Sequence, residues 1–104
     1  MSLAAAAAVS VNNTTWTTVA TVTGDGTMQL IGAAASCDGD VALAFEVRVQ
    51  INASNVVAPF RVPAGQAGVV YDSPTTIPNG QACIVQVYHS KGSATTFSAT
   101  LFGS

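Results

Sequence analysis

A chain of 104 residues makes one domain, able to bury roughly two thirds of the surface its unfolded form exposes, and no repeat or shift of composition divides it. Only 8% of its residues are charged, against about 25% in an average soluble domain, while 49% are hydrophobic. Arg48, Arg61 and Lys91 are the only cations in a chain of net charge −2, which argues against nucleic acid or an anionic membrane as a partner.

So little charge predicts that much of the surface is covered by identical subunits or by a larger assembly. A secreted β domain with a hydroxyl-rich surface is the alternative. The opening "MSLAAAAAVSV" lacks the basic start of a signal peptide and is too short to span a bilayer. It reads as an arm over residues 1–12 that lies on a neighbouring subunit and offers Leu3, Val9 and Val11 as contacts. A short strand falls near residues 8–11, and the domain proper occupies 13–104. A frayed end is the plainer alternative. Asn12, Asn13 and Asn52 match the N-x-[ST] sequon, a triplet frequent by chance in a chain this rich in Asn, Ser and Thr.

Trp16 opens the next strand, "WTTVATVT" at 16–23, as a core plug or an interface anchor. "GDG" at 24–26 reads as a tight turn joining it to "TMQLIGAA" at 27–34. "CDGD" at 37–40 then precedes the clearest alternation in the chain. Val41, Leu43, Phe45, Val47, Val49 and Ile51 fall on one face of a strand, with Glu46 and Arg48 on the other. Further strands follow at 56–62, 67–73, 82–90 and 95–103, separated by Pro- and Gly-containing turns. About eight short strands with no amphipathic helix predict an all-β fold, an antiparallel β-sandwich of jelly-roll type. An immunoglobulin-like sandwich competes less well, because Trp16 precedes both cysteines.

Chemistry has little material here. Asp25, Asp38, Asp40 and Asp72 could offer oxygens to calcium, but Asp-Gly pairs are the ordinary residues of tight turns, and no metal or other cofactor is expected. Cys37 and Cys83 could close a loop of about 45 residues as a disulfide. Two buried free thiols are the commoner outcome in a protein assembled inside a reducing cell. The one histidine, His89, stands at a strand end and reads as a solvated edge residue rather than a catalytic base. Glu46 could pair with an aspartate for glycoside chemistry, but reads more simply as a partner of Arg48 on the outer face or in a subunit contact. No catalytic residue is expected. Trp16, Phe60, Tyr71, Tyr88 and Phe102 could build a sugar-stacking platform.

The segments "TVATVTGDGTMQLIGAAA", "VALAFEVRVQIN" and "FRVPAG", within residues 16–70, resemble the small all-β accessory proteins of tailed-bacteriophage virions. That resemblance implies a jelly-roll subunit, usually a homotrimer, that binds the major capsid protein and decorates or cements the capsid exterior after assembly in the host cytoplasm. A module of a tail fibre is the variant reading. The charged capsid-binding tail is missing, so the contact surface has to be sought among Leu3, Val9, Val11, Trp16, Glu46, Arg48 and Arg61. The alternative function, from another class, is recognition of a receptor or glycan.

Overall fold

In the computed structural model, residues 2–11, 15–39, 43–89 and 94–104 are described below. Val41 and Asp40, the two sequon residues Asn12 and Asn13, and Lys91 lie outside them. Eight strands follow in order: β1 (Ser2–Val11), β2 (Thr17–Thr23), β3 (Gln29–Cys37), β4 (Phe45–Ile51), β5 (Ser54–Val62), β6 (Gly68–Thr76), β7 (Ala82–Tyr88) and β8 (Thr95–Gly103). Each overlaps a segment read as a strand from its alternation. The strands form two four-stranded antiparallel sheets, ordered β1-β8-β3-β6 and β2-β7-β4-β5.

Period-two side chains decide which face turns inward. Phe45, Val47, Val49 and Ile51 of β4 are buried beside Cys83, Val85 and Val87 of β7. Across from them the other sheet buries Ala33, Ala35, Phe97, Ala99 and Leu101. The two layers meet through Phe45 and Phe97, whose rings stand edge to face with centroids 5.0 Å apart. An arrangement of that kind contributes beyond the area it buries.

Residues 2–11, expected as an arm, form a full strand of this same domain. β1 pairs with β8 from Ser2 opposite Phe102 to Val11 opposite Thr95. Val11 is fully buried, and Leu3 and Val9 pack against the core. The apolar residues of the opening segment find their neighbours at home, because β8 supplies a backbone ladder and the core supplies an apolar floor.

The "GDG" turn is also different from its expectation. β2 and β3 do not pair; β2 pairs with β7, and β3 with β8 and β6. Residues 24–28 therefore form a corner that passes from one sheet to the other. Asp25 holds it, its Oδ1 accepting from the Thr27 backbone N–H at 2.8 Å, the Thr27 hydroxyl at 2.8 Å and the Met28 N–H at 3.0 Å. These bonds hold the exposed Asp25 carboxyl below its ordinary range. Gly24 sits so close to Ile77 and Pro78 that a Cβ there would run into their backbone. The corner is thereby locked to the loop that leads into β7.

The tightest hairpin lies where no glycine marks it. β4 and β5 are joined by Asn52 and Ala53 alone, both left-handed at φ 52° and 64°. Two successive positive φ values are what a two-residue hairpin of matched twist demands, with Asn well suited and Ala strained.

Candidate site on the outer face of the second sheet

Alternation that buries the odd residues of β4 and β7 turns Glu46, Arg48, Gln50, Ile84, Gln86 and Tyr88 outward. Register then places them in rows: Thr18, Gln86 and Arg48 lie across β2, β7 and β4, and Tyr88, Glu46 and Arg61 across β7, β4 and β5. Trp16, immediately before β2, leans over the same face.

The rows are tied together by a chain of polar contacts. Arg48 Nε donates to Gln86 Oε1 at 2.7 Å, and Gln86 Nε2 donates to Thr18 Oγ1 at 3.2 Å. The Arg48 guanidinium lies over the Trp16 ring, 4.3 Å from its centroid, and Trp16 tilts against Tyr88 with centroids 5.6 Å apart. Charge over an aromatic face is an attraction of about 0.5–2 kcal/mol depending on exposure. The contacts also fix two side chains that would otherwise lose several rotatable bonds on binding. A half-buried Trp, Tyr and Arg held in one arrangement form a rigid anchor group.

Among the described residues, Arg48 and Arg61 lie on this face against Glu46, or +1. The outer face of the β1-β8-β3-β6 sheet contrasts with it. Small side chains such as Ala34, Ser36, Ser98 and Thr100 floor a shallow depression there, and Val69 is the one large apolar side chain that is exposed among the described residues.

The residues expected as contacts thus divide. Trp16, Glu46, Arg48 and Arg61 gather on one outer face, whereas Leu3, Val9 and Val11 serve the core of their own chain. Trp16 is not a core plug.

Cys37 and Cys83 are not joined; both are free thiols. Cys37 is opposite Phe97 at the end of the molecule where His89 lies, while Cys83 is six residues from His89 along β7, or roughly 20 Å at the rise of a strand. A disulfide requires Cα atoms within about 7 Å. Burial pushes the Cys83 thiol up to about 11.

His89 is 1% exposed rather than solvated. Its Nε2 lies 2.8 Å from the Val11 carbonyl, and its ring stacks on Phe97 at 5.6 Å. A carbonyl can only accept, so Nε2 carries the proton. The parity of the strand contains this answer: His89 is in phase with Cys83, Val85 and Val87, all inward.

Of the four aspartates, Asp40 and the side chain of Asp72 lie outside what is described, and the other two are occupied. Asp25 holds its corner, and Asp38 accepts hydrogen bonds from Ser36, at 3.4 Å, and from Ser98. Among the described residues no three His, Cys, Asp or Glu side chains are placed to hold one metal ion, and no helix is long and apolar enough to cross a membrane. No family model, curated protein or solved structure matches the chain.

Proposed function

We propose that this protein is a structural subunit of a bacteriophage particle, a homo-oligomer, trimeric by the resemblance, that binds across major capsid proteins and decorates or cements the shell from outside. The observation that carries this reading is the Trp16, Arg48, Gln86 and Tyr88 group: aromatic and arginine side chains, already immobilised, on an outer face that bears two of the chain's three cations. Groups of this composition dominate protein contacts, and repetition over a symmetric shell multiplies a modest energy per site.

Strand pairing supports the jelly-roll part of the reading. β1 pairs with β8, β2 with β7, β3 with β6 and β4 with β5, so each pair sums to nine. That is the pattern of one long hairpin, bent at β4 and β5, and rolled so that successive pairs alternate between two sheets. Such sandwiches are common in virus coats.

Recognition of a glycan, the second reading, is disfavoured by one contact. A sugar ring stacks on an open aromatic face, and the Arg48 guanidinium already occupies a face of Trp16.

The test is co-sedimentation with empty capsid shells of a phage whose genome encodes this chain. The wild type binds in proportion to capsomer number, and Arg48→Ala lowers affinity at least tenfold without altering circular dichroism. Binding to a saccharide array with none to shells would replace this reading by the second.

A further inference from the structure

A charge that a contact buries has to be met by an opposite one, because a guanidinium stripped of water without a counter-charge opposes binding strongly. Arg48 is in that position. It is half-buried, its Nε donates to Gln86 Oε1, and one face of its guanidinium lies on Trp16. Its two Nη atoms have no partner among the described residues, and neither Arg48 nor the exposed Arg61 forms an ion pair there. Glu46 stands opposite Arg61 in the register of β4 on β5 but bonds to neither arginine.

We propose that this face takes an acidic segment of the capsid protein's outer surface. An Asp or Glu carboxylate of that segment accepts from the two Nη atoms of Arg48, a planar fork that matches a carboxylate. Trp16 and Tyr88 pack against the apolar part of the same segment, and Arg61 at the rim draws it in. The partner's identity rests on the function proposed above; the carboxylate follows from the unpaired Arg48.

Charge selects both the occupant and the way the molecule approaches it. A chain of net −2 is repelled by an acidic surface except through a face of the opposite sign, so this face turns forward on approach. A run of phosphates would demand more than two arginines with a glutamate beside them. A second copy is a poorer source of the carboxylate. Asp25 and Asp38, the other two carboxylates whose surroundings are described, already accept hydrogen bonds within their own chain.

Kinetics of binding to the empty shells at rising salt, with Glu46→Gln, Arg48→Gln and Arg61→Gln beside the wild type, test it. Glu46→Gln removes the negative charge next to the arginines and should tighten binding about threefold, a gain that lost packing cannot produce. Arg48→Gln should speed dissociation about tenfold, Arg61→Gln should slow association, and wild-type affinity should fall as salt rises. Trp16 fluorescence, titrated with poly-L-glutamate and separately with oligodeoxythymidylate, gives a second readout. The wild type should respond to poly-L-glutamate, Glu46→Gln at lower concentration and Arg48→Gln only at higher. An equal response to oligodeoxythymidylate overturns the proposal, as does a lower oligomer mass of Arg48→Gln in light scattering, which would put a second copy on this face. Shell binding indifferent to salt and to Glu46→Gln also overturns it while leaving the capsid role intact. Shells bound by no variant, with the poly-L-glutamate responses as expected, would remove the capsid role and keep the carboxylate site.

Discussion

At the scale of single residues, Cys83 offers the clearest measurement. Its thiol is fully buried among valines, and its pKa rises from an ordinary 9.0 to about 11 because the thiolate would lose its hydration. A raised folded-state pKa gives stability that is whole below pH 9 and is lost as pH rises through 11. Two pH units correspond to about 2–3 kcal/mol. Urea midpoints from pH 8 to pH 11 should therefore fall more steeply in the wild type than in Cys83→Ala; equal slopes would remove the thiol as the cause. In native protein an alkylating reagent should mark the half-buried Cys37 and spare Cys83 until denaturant is added. The inward position of Cys83 was legible from its phase with Val85 and Val87. The same phase placed His89 inside, yet a lone histidine beside Ser90 and Lys91 reads as surface by residue type. What the sequence does not display is the Val11 carbonyl, 78 positions away, that satisfies the imidazole.

At the scale of elements, strands were more legible than the connections between them. Alternation located β4, β7 and β8 best, because each buries one face and exposes the other, whereas most of β1 reads as an arm. Turn chemistry showed where the chain bends but not whether the flanking strands pair. "GDG" has the residues of a hairpin and makes a corner between sheets, whereas Asn52 and Ala53, with no glycine, make the true two-residue hairpin. Pairing was decided instead by which inner faces could share one core. Ala53 is the weak point of that hairpin. A left-handed alanine is strained by about 1–2 kcal/mol, and glycine relieves it while costing about 0.5–1 kcal/mol in backbone entropy. Ala53→Gly should stabilise the protein by about 0.5–1 kcal/mol, which raises the melting temperature by several degrees for a domain of this size. An unchanged or lower melting temperature would count against this geometry. The face formed by Trp16, Arg48, Gln86 and Tyr88 was partly legible. Parity set Arg48 and Glu46 outward, but the approach of Trp16, 32 positions earlier, depends on β2 lying beside β7, which no local pattern states.

At the scale of the whole molecule, the nested pairing has a kinetic consequence. The β4–β5 hairpin needs only two residues to turn, from Ile51 to Ser54, whereas β1 reaches its partner across nearly the whole chain, with Ser2 opposite Phe102. Each outer pair closes a longer loop than the one inside it, so the entropic cost is least if closure proceeds from β4–β5 outward. A fold dominated by such distant pairings should refold in milliseconds to seconds rather than microseconds. Stopped-flow fluorescence can follow this through Trp16, the only tryptophan. If the hairpin forms first, Ala53→Gly should accelerate refolding and leave the unfolding rate nearly unchanged; an effect confined to unfolding would place the hairpin late. The two-residue bend at Asn52 and Ala53 then acts as the clock of the molecule. The time a chain spends with its alanine-rich first strand unpaired is set by how quickly a turn some forty residues away can be made.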